Sequence, residues 1–150
     1  MKPLILLLLV FSLSMIAGYL INREWPLIFS GNLAMCMMLL FTAIGHFKFR
    51  QGMAMMIPQY IPNKNEIVFA SGIAEIVLGI ALLFPLLRFY SGVLLIAMFI
   101  VLLPANISAA KRRVNYEKGT YDGPGLKYLW FRVPMQILLI AWVLYFSVFS

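Results

Sequence analysis

Cysteine, histidine and charge are all scarce in this chain. One cysteine, Cys36, and one histidine, His46, stand in 150 residues, and charged residues make up 11%. A single cysteine excludes an intramolecular disulfide and a CxxC redox pair. A single histidine excludes a bis-histidine haem or a multi-histidine metal site within one chain. Also lacking are a glycine-rich phosphate loop, zinc-ligand spacing and a nucleophile–base pair. No self-contained catalytic constellation is visible, so the reading leans away from an enzyme. Cys36 lies in an apolar run and reads as a buried, inert thiol. Met35, Met37 and Met38 beside it would suit copper(I) by softness, but they fall on different faces of one helix and read as packing. No metal site is expected.

What the chain has in excess is apolar surface. Its hydrophobic fraction of 63% exceeds the soluble average of about 45–50%. A soluble protein of this size has too little interior to hide it. The expected solvent is lipid, and the expected class is an all-α membrane protein forming a single compact unit.

Five apolar runs appear, at 3–21, 27–45, 67–87, 89–110 and 129–149. Each is close to the twenty or so residues that a crossing helix needs. The first is longer than the apolar region of a secretory signal and no small-residue cleavage site follows it, so it reads as a retained helix. With five crossings and a cytoplasmic N-terminus, Lys2, Lys48, Arg50, Lys64, Lys111, Arg112, Arg113, Lys118, Lys127 and Arg132 fall inside, and only Arg23 and Arg88 outside. That bias follows the positive-inside rule and places the C-terminus outside. It also explains the net charge of +7 without a nucleic-acid partner. The turn between the third and fourth runs reads as essentially Arg88, with Pro85 ending the third. Small residues at Ser71, Gly72, Ala74, Gly79, Ser91 and Gly92 allow close helix approach.

Two inner loops differ. The stretch after His46 interleaves Phe47, Phe49, Met53, Met55, Met56 and Tyr60 with Lys48 and Arg50, as a segment lying on the interface would. Pro58 and Pro62 prevent one continuous helix through it. The second loop opens on Lys111-Arg112-Arg113, read first as a topology anchor and second as an anionic-lipid contact.

The run 67–87 carries an acid, Glu75, about two turns in from its cytoplasmic end. An ionisable group at that depth is expensive and faces protein or a cavity. Counting at 1.5 Å per residue, His46 lies at the mouth of the second run, with Thr42 near it. Ser71 lies one turn below Glu75, Asn106 one turn into the fourth run, and Arg132 and Gln136 one and two turns into the fifth. A buried carboxylate needs donors, and His46, Asn106, Arg132 and Gln136 are the donors at its depth. Asn32, near the outer end of the second run, stands apart. Pro104 and Pro134 fall at the same inner level and are expected to free the carbonyls of Ile100 and Trp130 and bend their helices. Two readings compete. The cluster is either interhelical glue, at about 0.6–2 kcal/mol per bond, or a polar pocket that binds something.

The runs GHFKFRQGMAMMIPQYIPNKNEIVFASGIAEIVLGIALLFP, LLPANISAA and FRVPMQILLIAWV resemble the DoxX-like membrane proteins. That family has a G-x-x-HF element, a P-x-x-(I/L)P loop, an S-G-x-A-E-(I/L)-x-L-G helix, a P-A-N element and an R-x-P-x-Q element. The likeness spans about residues 27–149 in order. It implies a four-helix transmembrane bundle over 27–150, to which a helix and short outer loop at 1–26 are an addition. Its hallmark polar residues fall on His46, Glu75, Asn106, Arg132 and Gln136. It implies a multi-pass protein of the cell membrane whose polar pocket binds a small lipid-like or quinone-like molecule, or supports assembly of a partner membrane protein. The alternative is a quinone-interacting subunit of an oxidoreductase. No cofactor is called for beyond such a quinone. The expected partners are the bilayer, a small hydrophobic ligand, and a partner membrane protein or a second copy of the chain.

Overall fold

The computed structural model describes residues 2–150. Met1, at the head of the expected 1–26 segment, lies outside the described residues. Helices α1 (Lys2–Asn22), α2 (Leu27–Lys48), α3 (Arg50–Met56), α4 (Lys64–Ala81) and α5 (Pro85–Lys111) follow one another. A 3-10 turn at Gly125–Tyr128 then leads into α6 (Leu129–Val143), which ends in a π-helical turn at Leu144–Val148. Among the described residues there is no strand, only one isolated antiparallel bridge between Asn115 and Thr120.

Four of these helical stretches are long and apolar enough to cross a membrane: α1, α2, α5 and the continuous 125–148 segment. Helix α4, at 18 residues, carries Lys64, Glu66 and Glu75 and is less apolar than the others. The outward faces are apolar to an extent that water would not tolerate. Ile5, Leu9, Leu13, Leu20, Phe29, Ile44, Leu86, Val101 and Ile137 are all exposed. The chain is an all-α protein of membrane type.

Inside, Leu7, Met35, Leu39, Leu82, Leu95 and Val143 are fully buried and join α1, α2, α5 and α6 in one core. Helix α2 sits at the centre, flanked by α1 and α4. The α1–α2 hairpin closes where Gly18 meets Pro26, which stands 2.3 Å from where a Cβ on the glycine would lie. The chain reverses through Arg23 in the left-handed region (φ 58°), and Tyr19 stacks on Trp25 at 4.6 Å.

The glycines set the α2–α4 seam. A Cβ on Gly72 would fall 2.9 Å from Cβ of His46, and one on Gly79 3.3 Å from Cβ of Leu39. Positions 72, 75 and 79 form one stripe of α4, and 39, 42 and 46 one stripe of α2. They meet head to tail, so Gly72 faces His46, Gly79 faces Leu39, and Glu75 is delivered between them opposite Thr42. The small residues at 72 and 79 therefore serve α4 against α2, while Gly92 serves α5 against Ser147 of the C-terminal π turn.

One local expectation needs correction. The α4–α5 turn lies at Leu82–Phe84, not at Arg88, because Pro85 begins α5 rather than ending α4. Proline fits the first helical turn, where its missing N–H costs nothing. Arg88 sits within α5 and turns back to donate from Nε to the Leu82 carbonyl at 3.1 Å. Helices α5 and α6 run through Pro104 and Pro134.

Candidate functional site

At the α2–α4 seam the chain gathers four polar side chains. The Thr42 hydroxyl lies 2.9 Å from Oε2 of Glu75 and 3.0 Å from its own helix's Leu39 carbonyl. Oε1 of Glu75 faces Nε2 of His46 at 3.6 Å. On the other edge of the imidazole, Nδ1 meets the Ser71 hydroxyl at 3.0 Å. Ser71 in turn donates to the Val68 carbonyl at 2.8 Å. Glu75 is 4% exposed.

This geometry orders the hydrogens. Ser71 directs its one proton to Val68, so its oxygen receives Nδ1–H from His46. That leaves Nε2 turned toward the carboxyl group. At 3.6 Å the two facing atoms are beyond hydrogen-bonding distance, so neither satisfies the other. The site therefore keeps hydrogen-bonding capacity at Oε1 and Nε2 that a third group could use.

Of the five residues singled out by sequence, His46 and Glu75 are brought into contact; the other three take separate places. Gln136 donates to the Phe99 carbonyl at 2.8 Å, tying α6 to α5. It reaches the carbonyl next to the one at Ile100 that Pro104 was expected to free. Asn106 is buried on α5, but the partners of Glu75 and His46 are Thr42 and Ser71. Arg132 makes no ion pair with Glu75. Its Nε is buried and, alone among the buried side-chain nitrogens and oxygens of the described residues, has no hydrogen-bond partner.

The rim below the site is built by the two inner loops. Gly52 of α3 meets the Tyr116 carbonyl, which lies 1.8 Å from where a Cβ would stand. Phe49 packs edge-on against Tyr116 at 5.9 Å, and Arg112 donates to the Ile57 carbonyl at 3.0 Å. Burial pushes the Tyr116 phenol above its ordinary range. On the open side of the second loop, the Thr120 hydroxyl bonded to Asp122 holds that carboxyl below its usual value.

A second polar knot lies at the opposite end of the bundle, and sequence reading had isolated only Asn32 of it. The Asn32 amide donates to the carbonyls of Ile28 and Phe146 at 2.9 and 2.8 Å, and Ser147 donates to its Oδ1 at 2.7 Å. Trp142 donates from its indole to the Gly31 carbonyl at 3.0 Å. Ser14 and Ser30 bond across the α1–α2 contact at 2.9 Å. A serine facing serine on neighbouring helices, and a π turn that displaces the Phe146 carbonyl, carry little signal in sequence.

A sequence model described as a domain of unknown function (DUF8561) matches residues 35–147. The chain belongs to the DUF8561 family. The DUF8561 match takes in Thr42, His46, Ser71, Glu75, Asn106, Arg132 and Gln136, and it begins within α2, leaving α1 outside. No curated protein and no solved structure matches the DUF8561 chain.

Proposed function

We propose that this protein is a non-catalytic, multi-pass membrane module that binds the polar head of a small lipid-like or quinone-like molecule beside Glu75. The observation that carries this reading is polar capacity left unmet in the interior: the His46–Glu75 contact stays at 3.6 Å, and the buried Nε–H of Arg132 has no partner. A buried donor without an acceptor costs about 1–3 kcal/mol, more when charged, and in a lipid environment no bulk water supplies the acceptor. A carbonyl oxygen from a membrane-soluble molecule is the matching group, and the His46–Glu75 pair, too far apart at 3.6 Å to satisfy itself, offers it a second polar contact.

The reading extends to architecture. Helix α4, at about 27 Å from its 18 residues, approaches the hydrocarbon thickness of about 30 Å. Lys64 and Glu66 lie at one end of it, and Glu75 is turned to α2. It serves as a fifth crossing segment, within a DoxX-like bundle formed by α2, α4, α5 and α6, with α1 added. The basic residues place the N-terminus in the cytoplasm and the C-terminus outside the cell membrane.

The test is titration of the purified full chain with a short-chain benzoquinone, followed by quenching of tryptophan fluorescence. Saturable quenching is expected, with Arg132→Met weakening the apparent affinity about ten-fold, or about 1.4 kcal/mol. Quenching that never saturates, or an Arg132→Met titration identical to wild type, overturns the reading.

A further inference from the structure

The Lys111-Arg112-Arg113 cluster is divided by the fold. Arg112 turns inward and is held by Ser108 and the Ile57 carbonyl, a structural clamp between the loops. Lys111 and Arg113 instead line an open cavity of about 390 Å³, together with Lys127 from the 3-10 turn. No acid lines this cavity, and among the described residues none of the three cations is paired with a carboxylate. Arg113 is fixed there by its backbone. It sits in the left-handed region (φ 56°), its carbonyl accepts from Gly123 N–H at 2.7 Å, and its Nε donates to the Gly123 carbonyl at 3.4 Å.

A second cavity of about 390 Å³ adjoins the first through Leu126, which lines both. It runs along the first turns of α6 and is lined only by apolar residues and Trp130. Trp130 is 86% exposed, in the position at a helix end where tryptophan marks the membrane interface. A cationic hollow at the membrane surface thus continues into an apolar groove directed along a crossing helix. That sequence of surfaces has the polarity of one phospholipid, anionic head followed by acyl chain.

We infer that this rim is a binding site for an anionic phospholipid. Lys111, Arg113 and Lys127 hold the phosphate, and an acyl chain lies along Leu126, Trp130 and Pro134. The site is separate from the Glu75 seam and stands or falls without it.

Native mass spectrometry of the full chain, presented with phosphatidylglycerol and phosphatidylcholine of matched chains, tests it. Wild type is expected to retain phosphatidylglycerol in preference. Each cation near an anionic surface is worth about five-fold, so Lys111→Gln, Arg113→Gln and Lys127→Gln together should bring the two lipids to parity. A charge-keeping variant, Lys111→Arg with Lys127→Arg, should retain the preference, which separates charge loss from misfolding. Trp130→Ala should lower retention of both lipids while preserving their ratio. Parity in wild type, a preference that survives the triple substitution, or displacement of the lipid by millimolar inorganic phosphate (the mark of a free-anion site) would overturn the inference.

Discussion

At the scale of single residues, the site depends on hydroxyls as much as on charge. His46 and Glu75 were legible in sequence because ionisable groups are rare in apolar runs and demand partners. Thr42 and Ser71 were visible only as neighbours, since hydroxyl residues are common in membrane helices and pair with their own backbone. Only the α2–α4 register shows that the Thr42 hydroxyl faces Oε2 of Glu75. Thr42→Val keeps the shape and removes the donor. It is expected to destabilise the protein by about 0.6–1.7 kcal/mol, the range of interhelical hydrogen bonds in membranes. Reversible unfolding in mixed micelles measures this, and Thr42→Ser should restore most of the loss. If valine is as stable as threonine, the Oε2 contact contributes nothing.

At the scale of elements, the helices could be read from hydropathy, but their junctions could not. The apolar run continues from α4 into α5 without a polar break, so the turn at 82–84 was hidden and the one charged residue, Arg88, attracted the assignment. Gly72 and Gly79 could be recognised as small-residue contacts, yet the face they serve depends on which helix lies opposite. The Cβ that Gly72→Ala adds would meet Cβ of His46 at 2.9 Å, an atom near the backbone that cannot rotate away. The α2–α4 seam must open, at a cost of about 1–3 kcal/mol, and quinone quenching should weaken with it. The docked loops give a pH signature. Tyr116 has a folded-state pKa raised from 10.0, chiefly by burial. The neutral phenol fits the fold, so docking is complete below pH 10 and weakens as pH rises from 10 through the raised value. Thermal stability should fall more steeply above pH 10 in wild type than in Tyr116→Phe, and equal slopes would show that the phenol is not buried against the α3 loop.

At the scale of the whole molecule, two polar clusters occupy opposite ends of the bundle and differ in kind. Around Asn32 the amide, the Ser147 hydroxyl, the Phe146 and Gly31 carbonyls and the Trp142 indole are all paired with one another or with the backbone, and they tie α2 to the C-terminal turn. Around Glu75 the pairing is incomplete, with only a 3.6 Å contact to His46, and on α6 the buried Arg132 Nε has no partner at all. A complete network stabilises, and an incomplete one leaves capacity for a ligand. The two should therefore separate by mutation. Asn32→Leu strands the Ser147 hydroxyl and leaves the Phe146 carbonyl only its Ser150 partner, so it should lower stability by about 1–2 kcal/mol and leave quinone quenching unchanged. Glu75→Gln removes the carboxyl and should weaken quenching at least several-fold, with a smaller effect on stability. Asn32 and Thr42, the nearest site residue on α2, are separated by about 15 Å of helix. At that spacing the stability losses in the double variant should add within about 0.5 kcal/mol. A marked excess over the sum would mean that the two ends share one cooperative network, and the outer knot would then be part of the binding site rather than the frame that holds it.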